Sequence, residues 1–471
     1  MGTEAGEGRR LVLCFDGTGN RYKGNESDTN VVKIYEMLDR HNKKQYHYYQ
    51  PGIGTFSTGS SGSGLTWFGR MRASMSQLFD QAVGRTFEYH VSCGYKFLMK
   101  YYEPGDDIYI FGFSRGAYTA RFLAEMIEMV GLLSQGNEEM VQFIFASFSG
   151  VQQTRGKRIK TRKELEHDEY LQKFKRTFCR PDVRVHFLGL FDCVNSVAQF
   201  EIPFRRHSYR YIAKAPARHI RHAVSIHERR LKFKPALFVF EEQSKNADIK
   251  EVWFAGNHCD VGGGFRYEGG LKCLLSDIPL AWMVEEVFAL EDTPAGKLAF
   301  QKSTIENLKH VKTGREMGED LSSFSKPPLD APLINIPKHH DFLSINRGAS
   351  WGKTFLWWII EILPFFTRLE LEHDEWNPRY WPPNFGAERD IPQDAEIHNS
   401  VEEMCKAGLL KKMPKLGGDD APLLKDPLIV FRVFMPWKWR FMPKKRIVLL
   451  DKYIGQPGLS GPQKKLAIMG S

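Results

Sequence analysis

One pattern recurs four times along the chain: a short apolar run that ends in a glycine-containing turn with polar side chains. The four segments are LVLCFDGTGN (11–20), DIYIFGFSRG (107–116), VRVHFLGLFDCV (183–194) and VWFAGNHCDVGGG (252–264). Continuous runs of Val, Ile, Leu and Phe of this length are typical of strands buried on both faces of a parallel sheet.

Helical patterns lie between these runs. Residues 84–102 and 117–133 carry apolar side chains at three- and four-residue spacing. Strands that alternate with helices predict an α/β fold with a doubly wound, mostly parallel sheet. In such a sheet the turns after the strands meet at the carboxyl edge, so we expect the chemistry there.

The predicted organisation of the 471 residues is a catalytic domain over 9–300 and a C-terminal extension over 301–471. Residues 134–180 are charged and irregular, which indicates an insertion. The extension contains proline-rich pieces and is expected to pack on the core or complete it. His219, His222 and His227 are predicted on one amphipathic helix, in packing roles.

The sequence around Ser114 predicts a nucleophile. Gly112-Phe113-Ser114-Arg115-Gly116 follows an apolar strand and precedes a helical pattern, as a G-x-S-x-G nucleophile elbow requires. Small glycines allow a sharp turn that lifts the serine hydroxyl above the sheet edge. The amide of Arg115 at the helix start is a candidate oxyanion donor.

A serine hydroxyl needs a base, usually a histidine that a carboxylate orients. Asp192 and His258 follow the next two apolar runs, in the chain order Ser, Asp, His of α/β-hydrolases. Asp260 is an alternative acid. The alternative bases are His398 and the pair His339-His340.

The turn after the first strand is a second candidate for the oxyanion hole. In a hydrolase sheet an early turn donates the second amide, so Gly17 or Thr18 is expected there. Asp16 is expected to hold the loop by hydrogen bonds. A phosphate-binding reading of DGTGN is weak, because no second phosphate motif accompanies it.

Composition limits the location and the partners. Lys and Arg outnumber Asp and Glu by 66 to 56, a formal net charge of +10, without a polybasic tail. Seven scattered cysteines form no CxxC pair, which favours a reducing, cytoplasmic setting without a zinc site. No cofactor, metal or nucleic acid is expected.

The stretch WGKTFLWWIIEILPFF (351–366) is too short to span a bilayer, which takes about 20 apolar residues. It is expected either to be buried against the core or to lie in a membrane interface as a peripheral contact, with burial favoured.

The motifs FDGTGN, GIGT, YEPGDDIYIFGFSRGAYTAR, LGLFDCVNSV, RHAVSIHERR and VWFAGNHCDVGGG occur in this order. The chain thereby resembles the uncharacterised α/β-hydrolase domain family that includes the catalytic domain of type VI secretion phospholipase effectors. The resemblance implies an α/β-hydrolase fold and a lipid-ester hydrolase. By motif, it implies Ser114 as nucleophile, Asp192 as acid and His258 as base. Cys193 and Cys259 stand where the family commonly has Thr and Ser.

The expected function is hydrolysis of acyl esters, with lipid or phospholipid esters as the favoured substrates, through a Ser-His-Asp acyl-enzyme mechanism. Esterase activity on small-molecule or protein acyl groups is the alternative within enzymes. A non-catalytic interaction module that keeps the fold is the alternative from another class.

Overall fold

The computed structural model describes most of the region before residue 306 and parts of the region after it. The described residues are 8–52, 78–154, 161–194, 215–238, 248–268, 273–290, 295–305, 338–345, 347–362, 368–372, 375–379 and 384–417.

A parallel seven-stranded sheet lies at the centre of the described structure. The described strands are β1 Arg10–Phe15, β2 Gln45–Gln50, β3 Asp107–Phe113, β4 Leu132–Leu133, β5 Cys179–Arg180, β6 Val185–Phe191, β7 Ala217–Ser225, β8 Asp248–Phe254, β9 Arg368–Glu372, β10 Glu375–Arg379 and β11 Glu396–Ile397. The order in the central sheet is β11-β8-β7-β6-β3-β1-β2, and each neighbouring pair is parallel. Two short antiparallel pairs, β4 with β5 and β9 with β10, lie outside this sheet.

The helices cover both faces of this sheet. They are α1 Asn30–Met37, α2 Leu78–Tyr101, α3 Arg115–Val130, α4 Val141–Thr154, α5 Arg162–Phe178, α6 His258–Gly262, α7 Asp277–Phe288, α8 Trp351–Ile362 and α9 Asn399–Lys406. This α/β arrangement confirms the predicted fold class.

Alternate side chains of the strands supply two separate apolar cores. On one face, Leu11 and Ile110 belong to a core that includes side chains of α2 and α3. On the other face, Val12 and Phe111 belong to a core that includes side chains of α1 and α7. Strands buried on both faces explain the continuous apolar runs, since neither set of side chains meets water.

The helix predicted for His219, His222 and His227 is wrong. His219 and His222 lie on strand β7, and His227 follows it. The buried His222 ring reaches Glu251 Oε1 on β8 at 2.8 Å from its Nδ1, so its polar atoms are satisfied inside the sheet. The stretch 134–180 is also more regular than expected, because α4 and α5 lie within it.

Part of the C-terminal extension packs directly on the sheet. Strand β11 is an edge strand beside β8, and Ile391, Val401 and Met404 share an apolar cluster with Trp253. Within the described residues, no helix is both long and apolar enough to cross a membrane.

Candidate active site

Ser114 sits in a strained turn between β3 and α3. Its backbone has φ 58° and ψ −124°, a conformation that costs free energy for a residue with a side chain. A Cβ on Gly112 would lie 2.6 Å from Ala117 Cα, and one on Gly116 would lie 2.3 Å from the Asp16 carbonyl oxygen. Only glycine fits at both positions, which explains the G-x-S-x-G spacing physically.

Asp192 follows β6, the strand next to β3. Its amide donates to the Ala223 carbonyl at 2.7 Å, and its Oδ1 accepts from the Ser225 amide at 2.9 Å. Its side chain has no exposed surface. These bonds to β7 hold the carboxylate at the carboxyl edge of the sheet, beside the serine turn.

His258 is the first residue of α6, after β8. Its Nδ1 lies 2.5 Å from Asp192 Oδ2. A carboxylate only accepts hydrogen bonds, so Nδ1 carries the proton and Nε2 keeps a free lone pair. The imidazole ring is held between the rings of Phe113 and Phe233, with both centroid distances at 4.7 Å. The ring is therefore fixed in orientation and in tautomer.

The structure brings Ser114, Asp192 and His258 to one edge of the sheet. Phe113, the neighbour of Ser114, touches the His258 ring. Among the hydrogen bonds of the described residues, none joins the Ser114 hydroxyl to His258. Such catalytic hydrogen bonds are often long in a site without substrate and shorten when the substrate binds.

Arg389 is a site residue that sequence reasoning missed. Its guanidinium donates to both carboxylate oxygens of Asp192, at 2.6 Å to Oδ1 and 3.0 Å to Oδ2. It also donates to the Ser225 carbonyl at 2.9 Å. Arg389 lies in the extension, 197 residues from Asp192, in a short piece without a recognisable motif. No local signal marks it.

The charges around this pair have opposite effects on the two titrating groups. Burial alone would raise the pKa of Asp192, but Arg389 and His258 hold that pKa below its ordinary value. Burial lowers the pKa of His258, and the Asp192 carboxylate opposes this only in part. The result is an ionised acid beside a neutral imidazole, which is the state that a general base requires.

The alternative acid and base have other partners. Asp260 Oδ2 accepts from the Asn257 amide at 2.9 Å and closes a capping box at the start of α6. Asp260 Oδ1 lies 2.6 Å from His340 Nδ1. His398 caps α9 by accepting from the Ser400 amide at 3.2 Å, and His339 stacks on His227. None of these described contacts involves Ser114.

The turn after β1 lies against the nucleophile turn, through the close approach of Gly116 to the Asp16 backbone. Asp16 Oδ1 accepts from the Gly17 amide at 2.7 Å and the Thr29 hydroxyl at 2.8 Å. Burial raises the pKa of Asp16 to about 6, against these hydrogen bonds.

Within the described part of the chain, the buried Thr18 hydroxyl has no hydrogen-bond partner. Because the Gly17 amide is engaged by Asp16, the Thr18 hydroxyl and the Arg115 amide are the better candidates to bind an oxyanion. Burial also lowers the pKa of the Arg115 guanidinium to about 10. The described residues contain no group of three or more His, Cys, Asp or Glu side chains that could hold a metal ion.

Comparison with known proteins assigns the chain to a family. Residues 9–286 match the family model described as "T6SS, Phospholipase effector Tle1-like, catalytic domain". The chain belongs to this family. The resemblance seen in the motifs is thereby confirmed. A Tle1-like catalytic domain belongs to the lipid esterase and phospholipase type of domain.

One curated protein is similar to this chain over most of its length. An uncharacterized protein of Saccharomyces cerevisiae is 27% identical over 557 aligned positions, covering 85% of this chain and 79% of the yeast protein.

Two solved structures are similar at lower identity. A crystal structure of an uncharacterized protein from Pseudomonas aeruginosa is 20% identical with a TM-score of 0.36, covering 64% of this chain and 48% of that one. The structure of the Tle1 effector bound to the VgrG spike of the type 6 secretion system is 17% identical with a TM-score of 0.29, covering 56% and 52%. The chain thus spans about half the length of both.

Proposed function

We propose that the protein hydrolyses acyl esters of lipids through a covalent acyl-enzyme on Ser114. The observation that supports this most strongly is the buried pair of Asp192 Oδ2 and His258 Nδ1 at 2.5 Å. It stands at the sheet edge where Ser114 occupies its strained turn. Family membership supports the lipid class of substrate.

In the proposed mechanism the Ser114 Oγ attacks the ester carbonyl while His258 Nε2 takes the hydroxyl proton. Asp192 stays ionised and stabilises the imidazolium. The amide of Arg115 and the hydroxyl of Thr18 hydrogen-bond the negative oxygen of the tetrahedral intermediate. The imidazolium returns its proton to the departing alcohol. Water then attacks the acyl-serine by the same steps and releases the fatty acid.

A fluorophosphonate probe tests the nucleophile. We expect the probe to label the wild type and not Ser114→Ala, with both proteins folded by circular dichroism. Hydrolysis of phospholipid and of a short-chain ester by the wild type then separates lipase from small-ester activity. A folded wild type that neither reacts with the probe nor hydrolyses either ester would support the non-catalytic interaction module.

Helix α8 is proposed to bring the site to a lipid surface. Burial is the favoured expectation for 351–366, but within the described residues 351–362 only Thr354 and Glu361 are buried, and residues 363–366 lie outside the described part of the chain. Glu361 is buried and accepts from the Leu231 amide at 2.7 Å, whereas five apolar side chains are exposed. The exposed side chains are Trp351, Phe355, Leu356, Ile359 and Ile362.

The other side of α8 packs toward His258 through a single residue, Phe233. Trp357 packs edge-on against Phe233 at 5.6 Å, and Phe233 packs edge-on against His258 at 4.7 Å. An aromatic face of this kind suits the interfacial region of a membrane. The formal net charge of +10 favours anionic lipid. We therefore place the mouth of the site against the bilayer.

Sedimentation with anionic liposomes tests the surface. Trp351→Glu with Phe355→Glu should abolish sedimentation and slow hydrolysis of vesicle lipid, while turnover of a water-soluble ester is retained. Tyr22→Glu is a matched control, because Tyr22 is 61% exposed and lies in the loop after β1. Equal sedimentation of wild type and the α8 variant would remove the membrane role. The cytoplasmic location stays a prediction.

A further inference from the structure

The extension supplies a charged group to the active-site edge. Arg389 is 6% exposed in its side chain, and Asp192 is fully buried. The fork of the guanidinium faces both carboxylate oxygens, while His258 approaches Oδ2 alone. We propose that Arg389 is a positioning residue for the Ser-His-Asp machinery, so that the C-terminal extension is part of the hydrolase site. This inference rests on the proposed function.

The geometry explains what Arg389 adds. Asp192 has a positive φ of 39°, and its amide and Oδ1 are bonded to β7. Two guanidinium bonds stop the carboxylate from rotating about its last side-chain bond, since planar fork-to-fork pairing fixes orientation as well as distance. Oδ2 then stays aimed at His258 Nδ1. A carboxylate turned away would leave the imidazole free to take the wrong tautomer.

Arg389 is itself anchored by its surroundings. It donates to the Ser225 hydroxyl at 2.8 Å and to the Phe233 carbonyl. The preceding residues are tied to the same loop, because Arg229 Nε donates to the Gly386 carbonyl at 2.6 Å. Arg229 also pairs with Asp341 at 2.8 Å and does not touch Asp192. Arg229 therefore offers a matched control: it docks the extension without touching the acid.

The electrostatic consequence gives a readout that a purely structural role would lack. The charged groups around His258 are Asp192, Glu228 and Arg230, with Arg389 on the far side of the carboxylate. Without the Arg389 guanidinium, the negative charge of Asp192 is no longer neutralised and stabilises the protonated His258 ring more strongly. The pKa of His258 should therefore rise. The acid limb of kcat/KM should then move to higher pH. Loss of folded protein would lower the rate at every pH and leave the midpoint unchanged.

The experiment compares Arg389→Gln, Arg389→Lys and Arg229→Gln in the full chain. For Arg389→Gln we expect kcat on a soluble ester to fall about 10²-fold, as for a misplaced catalytic group, with little change in KM. The acid limb of its kcat/KM profile should move to higher pH. Arg389→Lys keeps the charge without the fork, so its acid limb should stay near that of the wild type while kcat recovers in part. Arg229→Gln should retain the kcat of the wild type.

Two outcomes would overturn the assignment: a folded Arg389→Gln protein with the kcat and pH profile of the wild type, or equal losses in Arg229→Gln and Arg389→Gln with unmoved midpoints. If Arg389→Gln does not fold, Arg389→Lys is the test instead. An unchanged kcat in Arg389→Lys would show that the two-pronged guanidinium contact with Asp192 is not needed. Titration of the His258 imidazole by NMR reports the same pKa without turnover. An inactive wild type whose His258 pKa rises in Arg389→Gln would contradict the hydrolase, not the coupling of Arg389 to His258.

Discussion

Among the described residues, the two closest buried Asp–His pairs have nearly equal distances and differ in their surroundings. Asp192 and His258 approach to 2.5 Å, and Asp260 and His340 approach to 2.6 Å. The first acid is shared with the Arg389 cation. The second histidine also has Glu268 at 3.3 Å from its Nε2. The distance within a pair therefore does not identify a catalytic base; the partners around it do.

These different partners shift the pKa values of the two histidines in opposite directions. Burial lowers the pKa of His258, and Asp192, already neutralised by Arg389, does not restore it. Burial also opposes the charge on His340, but Asp260 and Glu268 overcome it and raise the pKa of that ring. The surroundings of His258 favour its neutral form, whereas the two carboxylates beside His340 favour the protonated form of that ring, which links α6 to the extension.

The largest expected difference between the pairs is in catalysis. Asp192→Asn should lower kcat by about 10⁴-fold, because an acid that orients the imidazole fixes its tautomer. Asp260→Asn should leave kcat close to that of the wild type, since its carboxylate caps α6. Steady-state kinetics on a soluble ester measures both, with circular dichroism to verify folding. A large loss in Asp260→Asn beside an active Asp192→Asn would exchange the two roles.

The second expected difference is in stability. His340→Gln should lower the free energy of unfolding by about 1–3 kcal/mol, because it leaves the buried Asp260 short of a partner. Urea denaturation measures this effect. His41→Gln is the matched control, because His41 is exposed and should change little. Unchanged stability together with lost hydrolysis in His340→Gln would argue that His340 is the base.

The smallest expected difference is in pH dependence, and the two pairs should show opposite trends. Because His258 has a lowered pKa, the acid limit of kcat/KM should lie below the ordinary histidine value of about 6.5. His340 has a raised pKa when folded, so its stabilising contribution is full below about 6.5 and is lost as the pH rises through the folded pKa.

The pH–rate profile and the stability difference between wild type and His340→Gln measure these trends. An acid limb of kcat/KM above the ordinary histidine pKa would contradict the first trend. A difference in unfolding free energy that grows with rising pH would contradict the second.

The chain itself encodes much of the site, because its signals are local. Strands β1, β3 and β6 and the last four residues of β8 are buried on both faces, and polar side chains follow each of them closely in the sequence. That is enough to locate the sheet edge and to nominate Ser114, Asp192 and His258. Strand β7 was not predicted, because its His and Arg residues have the spacing of a polar face on an amphipathic helix.

Tertiary structure alone determined which polar groups neutralise one another. His222 and Arg221 are tolerated inside β7 because Glu251 and Asp248 on the neighbouring strand pair with them. Arg389 reaches Asp192 from 197 residues away. Such pairings join positions that are unrelated in sequence, and charge compensation depends on distance in space. The pattern along the chain could therefore nominate the acid and the base, while only the fold shows that the Asp192–His258 pair lies beside the Ser114 turn and is joined by Arg389.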